Sequence, residues 1–182
     1  MANLTHASLV TPERVLFSGE AEAVVMRTDG GDITFLANHM DYIAAVDICV
    51  VRFEGVQAEA PLTPVPSDGG RAAEASGAEP APSSEVRAAV HGGFVMVADN
   101  KVTIVSGVAE LADEIDVARA RRALASAEAS GGDAQAGAAR APETAADLGE
   151  EAREVAARNA AAARARARLE AAAQLESELT RI

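Results

Sequence analysis

The chain is 182 residues long, enough for one modest domain and an appendage, with 49% hydrophobic residues but only 3% aromatic ones and no Trp. Its net charge of −12 repels phosphate backbones, which excludes nucleic acid as a natural partner. A single cysteine, Cys49, excludes an internal disulfide and a Cys-based metal site, and His6, His39 and His91 are too scattered to argue a metal centre. No apolar run approaches the ~20 residues of a membrane helix, and the first residues lack a charged-then-apolar signal pattern, so the chain reads as cytosolic. Lys101 is the only lysine and no Gly-rich phosphate loop surrounds it; no Ser lies in a nucleophile-elbow context. An enzyme is the least supported class, and no catalytic residue is assigned.

The first half reads as strands. Leu4–Val10 is closed by Thr11-Pro12, Val15–Phe17 ends at Ser18-Gly19, and Glu20–Met26 begins with acid/apolar alternation. Asp29-Gly30-Gly31 is a turn, because Gly accepts positive φ. Ile33–Leu36 and Ile48–Phe53 follow, Cys49 in the latter reading as a small buried hydrophobe. Residues 57–86 carry five of the seven prolines and almost no large apolar side chain, so they read as a mobile insertion between two strands of one domain. Strands resume at Val86–Val90, Phe94–Val97 and Val102–Val105, with Asp99-Asn100 as the last turn and Gly92-Gly93 permitting close strand packing or a bulge. All five aromatics precede residue 95, which places the dense core in this half.

From Asp113 the period becomes helical. Val117, Ala120, Leu124 and Ala127 form one narrow stripe, Gly131-Gly132 stops that helix, residues 130–141 read as a polar turn, and Pro142 suits the start of another. Leu148, Val155, Ala162 and Leu169 recur every seven residues as a thin helix–helix seam. Arg164, Arg166 and Arg168 splay around the helix, only the first and last sharing a face, and read as a solvated surface with local Glu partners. The expected fold is an all-β sandwich over residues 1–110, with its insertion at about 57–86, followed by a C-terminal antiparallel α-helical hairpin over 111–182. Residues 1–110 carry fifteen acids against six Lys/Arg, a balance of −9, and 111–182 thirteen against ten, or −3.

Three ordered stretches carry a resemblance: Val10-Thr11-Pro12-Glu13-Arg14-Val15-Leu16-Phe17-Ser18-Gly19-Glu20-Ala21; Ala89–Val97 followed by Asn100–Ile104; and Ala109-Glu110 leading to Ile115-Asp116-x-x-Arg119-Ala120. Together they resemble the epsilon subunit of the F-type ATP synthase over nearly all of residues 3–128 apart from the insertion; beyond 128 only composition matches. The resemblance implies a non-catalytic central-stalk subunit that binds gamma and the ring of c subunits and turns with the rotor. It implies coupling of proton flow to ATP synthesis at the cytoplasmic face of the membrane, without spanning it. It also implies that the C-terminal helices extend into the alpha/beta catalytic head and restrain hydrolysis. No cofactor is required; a regulatory ATP is implied for members with the Ile/Leu-Asp-x-x-Arg-Ala motif.

Carried over residue by residue, the nucleotide set is Glu110, Ile115, Asp116, Arg119 and Ala120. Ser126 stands where nucleotide-binding relatives tend to carry an arginine. Asp116 and Arg119 share a helix face near its start, where a carboxylate is favoured by the helix dipole, so helix starting and domain docking account for the same residues. The set implied against the c ring is Asp32, Asn38, His39 and Met40, in a loop where Ala37-Asn38 replaces the family's Pro-Gly; Asn38 tolerates a left-handed turn. A plain loop histidine accounts equally for His39. Two other classes remain open beside the rotor subunit: an ATP-sensing module, and a generic coiled-coil adaptor.

Overall fold

The computed structural model describes residues 3–56, 84–129 and 150–179, the side chains of Ser84 and of residues 150–152 and 174–179 aside. The strands are β1 (Thr5–Val10), β2 (Val15–Ala21), β3 (Ala23–Thr28), β4 (Gly31–Leu36), β5 (Tyr42–Val56), β6 (Ser84–Ala98), β7 (Lys101–Val105) and β8 (Ala109–Leu111). A single 3₁₀ turn (Ala112–Glu114) leads to helices α1 (Val117–Ala129) and α2 (Glu150–Leu179). The sheet runs β2-β1-β7-β6-β5-β3-β4, with β8 also on β6, and β1 and β7 are its parallel pair.

The sheet folds on itself because β5 and β6 are both 15 residues long and serve two layers. Their pairing runs from Tyr42↔Val97 to Phe53↔Val86 and skips only Asp47 opposite Gly92. β7 pairs with the later part of β6 and β8 with the earlier part, the two separated by Ser106–Val108. At this corner Gly92 and Gly93 have φ of 87° and 146°. A Cβ on Gly93 would stand 2.2 Å from the Val105 carbonyl oxygen, so only glycine fits. The Ser106 hydroxyl serves the Gly92 and Val108 carbonyls at 2.7 and 2.8 Å and ties the corner together.

Inside the fold, Phe17 of β2 stacks on Phe53 of β5 with ring centroids 4.1 Å apart. Phe35, Leu9, Val24, Val51, Val90, Val95, Val102 and Ile104 fill the rest of the core. Alternation along each strand then gives each layer an outer face. Asn100, at φ 57°, and Asp99, at 51°, form the tight β6–β7 turn, and Asn38 takes the left-handed conformation at 60°.

Several boundaries differ from the sequence reading. Residues 84–86, placed in the insertion, begin β6, and the two strands expected at 86–90 and 94–97 are one bent strand. β5 begins at Tyr42 rather than Ile48, because alternating Tyr42-Ile43-Ala44-Ala45 lacks the apolar density that marks its second half. Cys49 is partly buried against the core, and burial pushes its thiol up to about 11. The α1 stripe is in place, with Ala120 and Ala127 buried. The seven-residue seam is in place only in part: Ala162 is fully buried and Leu169 half-buried, but Val155 is 45% exposed, and α2 also buries Ala163, Ala165, Ala167, Ala171 and Ala172. Methyl groups allow close approach to both α1 and the sheet, which a single heptad seam does not serve. The insertion at 57–83, Gly131-Gly132, the polar turn 130–141, Pro142 and Leu148 lie outside the described residues.

Gly93→Ala is expected to lower stability by about 2 kcal/mol or more, from strain at positive φ and a clash with Val105. Urea denaturation checks this; an unchanged midpoint would contradict the corner's glycine requirement.

Candidate functional site: the hairpin-docking face

Helix α2 lies on the outer face of β5 and β6 and against the 3₁₀ turn. Ala167, Ala171 and Ala172 pack with Ala89, Ala112 and Ile115, and with the partly buried Ile48, Val50 and Val117. Each methyl-sized group contributes about 0.8 kcal/mol at most, so this contact is weak for its length.

A polar clasp sits at its edge. Glu110 on β8 accepts from Arg168 on α2, Nε at 3.0 Å and Nη2 at 2.6 Å, both to Oε1. Both side chains are 21% exposed. The Arg168 guanidinium holds the Glu110 carboxyl below its ordinary range against the opposing effect of burial. Arg119 stands 3.8 Å from Glu110 Oε2 and is 64% exposed. Asp116 caps α1: its Oδ1 accepts the Arg119 backbone N–H at 2.8 Å and its carbonyl accepts the Ala120 N–H at 2.9 Å. Ile115 and Ala120 are buried. A second clasp pairs Arg14, in the β1–β2 turn, with Glu114 beside the base of the hairpin.

The structure therefore brings all five residues of the expected nucleotide set to the base of the hairpin. Their groups are largely committed: one carboxylate caps a helix, one holds Arg168, and two side chains are packed away. The arginine run was expected to have local Glu partners. Arg168 instead reaches β8, and Arg166 reaches Glu128 on α1 at 3.6 Å. Arg168 was missed as a site residue because the turn before α2 is divergent; its i, i+4 placement with Arg164 on an Ala-rich face was the available signal. A cleft of about 460 Å³ between β3, β5 and α2, lined in part by Arg27, Asp32, Cys49, Arg52 and Glu170, shares Ile48 and Val50 with the docking contact but none of the five nucleotide-set residues. Among the described residues no His/Cys/Asp/Glu group could hold a metal.

The second expected set does not form one patch. Asp32 opens β4 and is paired with Arg27, Nε to Oδ1 at 2.8 Å and Nη2 to Oδ2 at 3.0 Å, which holds its carboxyl below its ordinary range. Asn38, His39 and Met40 follow the other end of β4, a strand roughly 20 Å long. There the Asn38 N–H donates to Asn100 Oδ1 at 2.7 Å, His39 Nδ1 donates to the Met40 carbonyl at 2.8 Å, and the ring packs edge-on against Phe35. Met40 is exposed.

Among the described residues, nothing covers the other outer face. Cross-strand pairing sets Val15, Val10, Val105, Phe94 and Ala45 in one row and Ser18, Ser8, Thr103, Met96 and Ile43 in the next. Ile43 is 73% exposed, Phe94 63%, and Met96, Val105 and Val15 are exposed as well. No sequence signal separated this face from the core, since both carry apolar residues at alternate positions.

Comparison with known proteins is decisive about the family. The profile of the ATP synthase, Delta/Epsilon chain, beta-sandwich domain matches residues 4–63. The ATP synthase epsilon chain of Streptomyces coelicolor is 41% identical over 131 residues, which cover 72% of this chain and 86% of that one. This chain belongs to the ATP synthase epsilon family. The epsilon chain of Thermobifida fusca is 40% identical over 122 residues, 66% of this chain and 72% of that one. A chain in the cryo-EM structure of Euglena gracilis mitochondrial ATP synthase, OSCP/F1/c-ring, aligns over 97% of this chain and 82% of its own at 20% identity, with a TM-score of 0.49. That likeness is too distant to add to the assignment. As an epsilon chain, the protein is a non-catalytic subunit of ATP synthase, a complex of ATP synthesis and ion transport. Among the described residues no helix is long and apolar enough to cross a membrane.

Asp116→Ala removes the α1 cap and is expected to cost about 1 kcal/mol, read as lost helicity and a lower melting midpoint. Glu110→Gln is expected to weaken docking of α2 about tenfold at pH 7, given about 1.5–3 kcal/mol for a charged hydrogen bond. Because the docked Glu110 has a lowered pKa, its contribution is complete above the ordinary value of 4.5 and is lost as pH falls through the docked value. Amide protection of α2 measures both effects; protection equal to wild type at pH 7 would remove Glu110 from the docking contact.

Proposed function

We propose that this epsilon chain is a rotor subunit of the central stalk of a proton-translocating F-type ATP synthase, held at the cytoplasmic face of the membrane through the complex. Residues 1–110 act as a rigid bearing between gamma and the c ring. Residues 111–182 act as an arm that leaves the sandwich, reaches the alpha/beta head and restrains ATP hydrolysis.

One observation carries the reading: of two outer sheet faces, α2 covers one and the other exposes Ile43, Phe94 and Met96 to solvent. An apolar surface of this kind is costly unless a partner covers it. In an epsilon chain the partner assigned to it is gamma. The polar contacts to the c ring are assigned to Asp32 at one end of β4 and to Asn38, His39 and Met40 at the other; their separation means that the two groups meet different neighbours. The alanine contact and the Glu110–Arg168 clasp suit an arm that is held but releasable.

Arg119, well exposed beside Glu110, favours a second reading in which ATP is sensed at the hairpin base. The guanidinium fork suits phosphate oxygens, but Glu110 and Asp116 are already engaged. Calorimetry of the full chain with Mg-ATP is expected to give no binding heat. A heat that disappears in Arg119→Ala would favour the sensor.

The double variant Phe94→Asp/Met96→Asp is expected to abolish co-purification with gamma while leaving the melting midpoint near wild type. Deleting residues 113–182 is expected to keep gamma and lose only control of hydrolysis. Retention of gamma by the double Asp variant, or loss of gamma on deletion, would overturn the reading.

A further inference from the structure

His91 lies on the sheet face that α2 covers, two residues from Ala89, and takes no part in either clasp. The pleat of β6 turns it to the same outer face as Ala89, opposite Ile48 of β5 and diagonal to Glu110 of β8. Its backbone N–H is spent on the Val108 carbonyl at 3.1 Å. Among the described residues, its Nε2 is a buried side-chain nitrogen with no hydrogen-bond partner.

The charges that bear on the ring come from two elements. Arg168 and Arg164 of α2 oppose a positive imidazole, and Glu110 of β8 favours one. Glu110 is already neutralised by Arg168, and β5 contributes only Ile48 opposite the ring. A proton on His91 would therefore add a third cation beneath a helix that brings two. Lifting α2 away removes both arginines and opens the ring to water.

We propose that release of α2 from the sandwich takes up a proton at His91, so that acidification from neutral pH favours the free arm. The proposal deepens the reading of residues 111–182 as a releasable arm and does not depend on what the arm touches afterwards. In the docked state burial, with Arg168 second, lowers the imidazole from its ordinary 6.5 to about 4; removing α2 relieves both causes and returns it toward 6.5. The docked form therefore binds fewer protons between those values. The His91 contribution is complete well above pH 6.5 and is lost as pH falls, weakening docking by about tenfold between pH 7.5 and 5.5 and about 150-fold by pH 4. Glu110 acts in the same direction only near and below pH 4.5, so the window above pH 5 isolates His91. The other histidines are elsewhere, His6 beside Glu20 and His39 against Phe35 and Tyr42.

The test is native-state hydrogen exchange on the isolated full-length chain, with the intrinsic pH dependence of exchange divided out and β5 and β7 amides as internal reference. Protection of α2 is expected to fall about tenfold from pH 7.5 to 5.5 in wild type and to stay flat over that range in His91→Gln. An NMR titration of the His91 ring in wild type guards against a misfolded variant: the docked imidazole should titrate well below 6.5. Protection independent of pH in wild type, an equal fall in His91→Gln, or a His91 titration near 6.5 with α2 docked would each overturn the proposal. Gamma association fails or survives separately, so loss of the rotor reading and loss of this one are distinguishable.

Discussion

The bend in the β5–β6 ribbon is the constraint on which the rest of the molecule depends. Two strands long enough to cross both layers must turn a corner, and Gly93 allows it because nothing larger fits beside the Val105 carbonyl. That turn stacks Phe17 on Phe53 and closes the core. It also produces two outward faces with different fates. One, floored by Ile48, Val50 and Ala89, receives α2; the other, bearing Ile43, Phe94 and Met96, is covered by none of the described residues.

The covered face is held lightly, and the composition explains why. An alanine helix gains close approach but little buried area, so polar contacts carry a disproportionate share of the docking. Glu110 serves Arg168 and, more loosely, Arg119, while Asp116 spends its carboxylate on the first turn of α1. The same residues that resemble a nucleotide motif thus fasten the arm to the sandwich. His91 lies on the same face with its Nε2 buried and unpartnered, and burial holds its imidazole below the ordinary range.

Much of the fold was legible. Alternation in β1 to β4, the turns at Asp29–Gly31 and Asp99-Asn100, and the change of period after Asp113 all follow from local chemistry. The first half of β5 was hidden because Ala44 and Ala45 give no strand signal. The fusion of two short strands into β6 was hidden because the Gly pair, read as a site of close packing or a bulge, interrupts the apolar alternation between Val90 and Phe94. At the site, the motif from Glu110 to Ala120 was visible, but Arg168 was not: its partner is 58 residues away, and the one local signal, its i, i+4 placement with Arg164, does not name that partner. The heptad reading of α2 held only in part for a related reason. Alanine at nearly every position lets several faces pack, and no period singles out the one that does.

The most direct test of the account is a hydrogen-exchange footprint of the full-length chain with and without gamma. Added protection is expected on β1, β7, the first half of β5 and the second half of β6, where Val10, Val105, Ile43, Phe94 and Met96 lie, with α2 unchanged. Protection confined to α2, or spread over the face that α2 covers, would contradict the division into a bearing surface and a releasable arm.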